Sequence, residues 1–205
     1  METKANIIRK YADAEPESKV DMICRHYPQI DGIIDARIAG MKYIIWEEKE
    51  KNRRADHGEL GIRVQSGNGY SAPTCNEGCF RADLESAIRS CDFSGDILDG
   101  IDHPEWIMDE ARMLKEMKEI RNLYDLQVAC LIGEDRCLYE KYLKQEMNLT
   151  DIASSCRIEY HSAVKKISKI RKYVNREVVE ILDATSCHRG TKLSRYRTPK
   201  SGRNG

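Results

Sequence analysis

Apolar positions along the chain recur mostly at intervals of three and four, the period of an amphipathic helix rather than of a strand. The pattern is clearest from Tyr160 onward, where Ala163, Ile167, Ile170, Val174, Val178 and Ile181 fall on one side of a helix. The opposite side collects His161, Lys165, Lys169, Lys172 and Arg176. Just before it, Asn148 or Thr150 caps a short helix whose Leu149, Ile152 and Ala153 face inward, and small Ala153 suits a close helix crossing. A further helix from Glu134 to Gln145 carries Leu138, Tyr139, Tyr142 and Leu143 in a strip behind Gly133, which stops whatever precedes it. Three helices then bury one small core.

Upstream, Asp102 caps a helix that starts at Pro104, with Glu105 placed as in a capping box. Its inner face runs through Ile107, Ala111, Leu114, Met117, Tyr124, Val128 and Leu131. At about 28 residues it spans about 40 Å. That length serves intramolecular packing, or a strut or antiparallel coiled-coil partner and with it a homodimer. A helix from about Ile30 to Lys51 places Ile33, Ile34, Ala36, Ile38, Met41, Ile44 and Ile45 on its apolar side, and a shorter one near Lys4 to Ala14 packs on it. Seven glycines between Arg54 and Gly100 interrupt any helical period, while Leu60, Ile62 and Val64 alternate ahead of Asn68 and Gly69. That stretch reads as a flexible linker with a small hairpin.

The expected architecture is therefore all-α. It has an N-terminal helical segment at 1–53, a Gly-rich linker at 54–101, a helical domain at 102–184 with a helix-turn-helix at 148–171, and a basic tail at 185–205. The tail holds six cations, no acid and a single sizeable aliphatic, Leu193, too little to offset ordering entropy, so it reads as a disordered arm.

Charge sharpens this division. The chain balances 34 Lys and Arg against 34 Asp and Glu, yet from Arg157 onward thirteen cations face four acids, +9, which leaves −9 on residues 1–156. A basic end on an acidic body fits a molecule that meets a polyanion with one part and a protein partner with the rest.

The segment EDRCLYEKYLKQEMNLTDIASSCRIEYHSAVKKISKIRKYV, Glu134 to Val174, resembles the region-four DNA-binding domain of bacterial sigma factors, and more closely phage late-transcription activators of the RinA and ArpU type. The likeness covers about a fifth of the chain. A looser one to phage regulators of gram-positive bacteria runs through NRRADHGELGIRVQSG and CDFSGDILDGID. The resemblance implies a regulator that binds promoter DNA and touches RNA polymerase in the bacterial cytoplasm, at the nucleoid.

Two departures from the family pattern bear on the site. Arg157 follows Cys156 where most such motifs carry glycine, so the turn is strained or differently built. Ala153 and Val164 stand one residue further apart than usual, so either the turn is longer or Ala163 takes the core place. By position, Tyr160, His161, Ser162 and Lys165 approach base edges, with Glu159 either beside them or serving the helix start. Lys166, Lys169, Arg171 and Lys172 meet phosphates.

Other chemistry is sparse. Eight scattered cysteines and the absence of a secretion signal suggest reduced thiols in the cytosol. Cys75 and Cys79 are loosely spaced for zinc, so no metal and no cofactor is expected. No paired carboxylates, Ser/His/Asp set or Gly-rich phosphate loop stands at catalytic spacing, so no enzyme is expected. Among aromatics of the amino-terminal part only Tyr43 and Trp46 cluster, which argues against a complete sigma factor able to hold unpaired bases. The alternative is a structural DNA-binding protein of a phage, such as a packaging-initiation subunit resembling small terminases.

Overall fold

A computed structural model of the chain describes residues 4–56 and 73–194, with side chains over 5–52, 78 and 80–185. Among the described residues all regular structure is helical: α1 (Lys4–Ala12), α2 (Pro16–Arg25), α3 (Ile30–Asp56), α4 (Pro73–Ser90), α5 (Pro104–Ala129), α6 (Glu134–Leu143), α7 (Leu149–Cys156) and α8 (Tyr160–Ser194), with a 3-10 turn at Tyr27–Gln29. The expected all-α class holds. None of the described helices is long and apolar enough to cross a membrane.

The helices form two compact units. One comprises Met1–Pro28 and Ile120–Gly205, and the other is the intervening Gln29–Glu119. Neither coincides with the expected segments, because α2 and α8 pack on each other although they lie at opposite ends of the chain. Helix α5 contributes to both units.

In the unit built from the two ends, Ile7, Ile8 and Tyr11 of α1 and Val20, Ile23 and Cys24 of α2 are buried, as are Leu138, Tyr139 and Leu143 of α6. Ala163, Ile167, Ile170, Val174 and Val178 of α8 are all at most 6% exposed, so the apolar side read from the spacing is the packed side. Burying a Val or Ile side chain is worth about 1.5–3 kcal/mol, which makes this stripe the main anchor of α8. Leu131, Tyr142, Leu149 and Ile181, also expected inside, are half-buried.

In the intervening unit, Ile30, Ile33, Ile34, Ile38, Met41 and Ile45 of α3 pack with Leu84, Ala87 and Ile88 of α4 and with Ile107, Ala111, Leu114 and Met117 of α5. Ion pairs fringe this core: Arg37 Nε to Glu110 Oε1 at 2.5 Å, Lys42 Nζ to Glu85 Oε2 at 2.5 Å, and Arg89 to Asp35 at 2.9 Å. The hydrogen bonds from Lys42 and Arg89 hold the Glu85 carboxyl below the usual carboxylate range.

Two expectations need correcting. The span 54–101 is not simply a linker, since α4 occupies Pro73–Ser90. Leu84, Ala87 and Ile88 give it a buried face at spacings of three and one, and Gly78, which costs a helix about 1 kcal/mol relative to Ala, sits where nothing lies within 4 Å of a would-be Cβ. The alternating Leu60, Ile62 and Val64 and the Asn68–Gly69 turn lie outside the described residues. Second, the backbone from 185 does not leave the helix at once, because α8 runs on to Ser194. Once nucleated, each added residue gains one backbone hydrogen bond, and Thr185 Oγ1 donates back to the Ile181 carbonyl at 2.8 Å. Residues 195–205 lie outside the described part.

Candidate nucleic-acid interface

Helix α7 is set by its cap. Asn148 Oδ1 accepts hydrogen bonds from the backbone N–H of Thr150 (2.8 Å) and Asp151 (3.0 Å), and Asp151 Oδ2 accepts from Asn148 N–H at 3.0 Å. This reciprocal box satisfies donors that a helix start leaves orphaned, and it selects Asn148 over Thr150 as the cap. Ile152 and Ala153 are buried beneath it.

The chain then turns through Arg157, which takes the left-handed conformation at φ 53° and ψ 44°. Its N–H donates to the Ser154 carbonyl at 3.3 Å and the N–H of Ile158 reaches back to Ala153 O at 3.0 Å, the paired closure that normally employs glycine. An L side chain pays for that geometry with roughly 1–2 kcal/mol. Helix α8 begins immediately, its first turn closed by Ser162 N–H and Ala163 N–H on the Glu159 carbonyl at 2.9 and 3.0 Å. Glu159 therefore caps α8 through its backbone.

Ala163 is fully buried and Val164 only half-buried, which settles the spacing. Ala163, not Val164, takes the inner place, and two small residues, Ala153 and Ala163, sit on helices that pack together.

The predicted site residues divide into two groups. Tyr160, His161, Ser162, Lys165, Lys169 and Lys172 are exposed, with Tyr160 edge-on to His161 at 6.0 Å between ring centroids. Lys165, Lys169 and Lys172 have no ion-pair partner among the described residues, and their spacing of four and three lays them along one line of α8 over about 10 Å. Arg176 continues the line but lies 3.2 Å from Glu177 and 3.7 Å from Glu180, so its charge is largely balanced.

Lys166 and Arg171 belong elsewhere. Lys166 Nζ pairs with Asp135 Oδ1 of α6 at 2.8 Å, and that hydrogen bond holds its ammonium above the usual lysine value. Arg171 is bound to Asp21 of α2, which also holds Arg25. It is a bridge within the fold rather than an outward charge. Residue spacing on α8 alone could not reveal this, since Asp21 lies 150 positions away.

Beneath the stripe the unit contains a chain of polar groups. Tyr124 OH and Tyr139 OH are 2.7 Å apart, Tyr124 OH donates to Asn175 Oδ1 at 3.2 Å, and Cys24 Sγ lies 3.6 Å from Tyr139 OH. Burial pushes both phenols well above their ordinary range, so they stay neutral and act as structural pins.

Among the described residues no group of three or more His, Cys, Asp or Glu stands ready to hold a metal ion. The side chains of Cys75 and Cys79 lie outside the described set. Comparison with family models, curated proteins and solved structures finds no match to any of them.

Proposed function

We propose that α7, the turn at Arg157 and α8 form a helix-turn-helix that reads duplex DNA, and that the chain is a sequence-specific transcriptional regulator. The observation that carries this reading is the line of Lys165, Lys169 and Lys172, exposed and without ion-pair partners among the described residues, opposite a face packed from Ala163 to Val178. The major groove of duplex DNA is wide enough to admit an α-helix held in this way. Tyr160, His161, Ser162 and Lys165, at the start of α8, approach base edges, while Lys169 and Lys172 meet phosphates and fix orientation. Lys166 and Arg171 are withdrawn from this set by their carboxylate partners. The acidic remainder of the chain is available to RNA polymerase, so the role that fits best is an activator of phage late genes acting at the nucleoid without a cofactor.

The test is a gel-shift titration of the full chain over a range of salt. Replacing Lys165, Lys169 and Lys172 by Ala weakens binding to every duplex and flattens the dependence of log affinity on log salt by about 0.9 for each phosphate no longer neutralised. Tyr160→Ala or His161→Ala instead changes which sequence is preferred. Equal retention of all duplexes by the wild-type chain and the triple variant discards the reading.

A further inference from the structure

We propose that two hollows flanking Trp46, on the unit formed by Gln29–Glu119, bind an unpaired nucleic-acid strand, an activity beyond the duplex reading assigned to α8.

Trp46 of α3 and Phe80 of α4 stand 34 positions apart in the chain, yet their ring centroids lie 6.4 Å from each other at 48°. Neither is buried, and Tyr43, one helical turn before Trp46, is 66% exposed. Aromatic rings ordinarily contribute most by burial. Here the core beneath is filled by Met41, Ile45, Leu84 and Ile88, and three rings remain at the surface.

The indole of Trp46 lines both hollows. One, of about 250 Å3, has Phe80 and Lys49 with Glu50 in its wall, and the other, of about 290 Å3, has Tyr43, Lys42 and Arg81 above Leu84. The aromatic faces come from Tyr43, Trp46 and Phe80 and the cations from Lys49 and Arg81, while Lys42 is held by Glu85 at 2.5 Å. Lys49 Nζ sits 4.7 Å from the Phe80 centroid and the Arg81 guanidinium 5.1 Å from that of Trp46. Lys49 Nζ also donates to the Asp96 carbonyl at 3.1 Å, and burial holds its ammonium below the ordinary value against the opposing pull of Asp96 and Asp99.

A ring to stack on and a cation beside it match a nucleobase and its phosphate. Each hollow is smaller than the roughly 300–1,000 Å3 of a whole cofactor site. Two of them sharing one indole suit consecutive bases of a strand, with Trp46 between them, better than one mononucleotide. A duplex does not qualify, because its base faces are covered by their own neighbours.

The chain has two tryptophans, Trp46 and Trp106, so in the full chain carrying Trp106→Phe the emission of Trp46 reports the site. Oligo(dT) and oligo(rU) are expected to quench it to saturation, the two arms telling DNA from RNA, while a duplex and thymidine monophosphate at matched concentration leave it unchanged. Tyr43→Ala and Phe80→Ala each weaken the strand by at least about fivefold. Circular dichroism of each variant screens for misfolding, and Tyr43, being exposed, supplies a variant that folds. Lys165→Ala leaves strand binding intact, which separates this site from the α8 reading. Absence of quenching by either oligonucleotide, undiminished binding in Tyr43→Ala, or equal affinity for the monophosphate overturns the proposal.

Discussion

Tyr124 and Tyr139 meet hydroxyl to hydroxyl at 2.7 Å inside the unit that carries α8, and the pair ties α5 to α6 while Asn175 of α8 accepts the next bond at 3.2 Å. Tyr124→Phe keeps the ring and deletes the shared oxygen, leaving Tyr139 with only the Cys24 thiol at 3.6 Å. A loss of about 1–2 kcal/mol is expected in urea denaturation. Tyr124→Ala also opens a cavity and costs about 3–5 kcal/mol. Equal stability of Tyr124→Phe and wild type contradicts the network.

The same tyrosines set the alkaline limit. Tyr27 is pushed up from 10.0 to about 12, first by burial and then by its hydrogen bond to Asp125, and Tyr124 and Tyr139 are raised by burial. A phenol whose folded value is raised contributes stability that is complete below its unfolded value of 10.0 and is lost as pH climbs through about 12. Thermal midpoints are expected to hold up to about pH 10 and to fall beyond it. In an absorbance titration of the ten tyrosines, Tyr124 and Tyr139 ionise only with unfolding, and Tyr27 ionises near pH 12. Ionisation of all ten near the ordinary phenol value with the helices intact rules this out.

Arg157 offers a gain. At φ 53° it occupies a conformation that L residues resist, and its side chain is exposed with no partner among the described residues. Arg157→Gly is expected to raise stability by up to about 1 kcal/mol, measured as the thermal midpoint, because glycine takes the left-handed region freely. A destabilised variant shows that the turn does not have this shape.

Arg171 and Lys172 are adjacent in sequence and are expected to behave oppositely. Arg171→Ala removes the tie between α8 and Asp21 and lowers stability by about 1–3 kcal/mol, with the salt slope of duplex binding unchanged. Lys172→Ala leaves stability within about 0.5 kcal/mol and reduces the slope. Paired denaturation and gel-shift series on both variants decide the matter, and a reduced slope in Arg171→Ala returns that side chain to the DNA face.

What the sequence disclosed follows from where the physics is local. The packed face of α8 could be read because one helix period relates Ala163, Ile167, Ile170, Val174 and Val178, and the start of α5 because Pro104 occupies its first position. Helix α2 carries a short signal, with Pro16 at its start and only Val20, Ile23 and Cys24 at helical spacing. Helix α4 was hidden by Gly78 and by the run of polar residues around it. The Trp46–Phe80 pair, the Asp21–Arg171 tie and the Cys24–Tyr139 contact join distant parts of the chain, and no window of the sequence holds both partners. For the same reason Arg171 and Lys172 looked alike until tertiary packing separated them.

The packing of α2 on α8 carries a consequence for how the molecule comes into being. Val20 and Ile23 leave the ribosome long before Ile170 and Val174 are translated, so the first helices wait, greasy and uncovered, until synthesis is nearly finished. A fragment that starts at residue 102 lacks α2, so the apolar face of α8 loses its partner. Isolating the basic end by trimming the amino terminus should therefore yield an aggregating polypeptide rather than a small autonomous module.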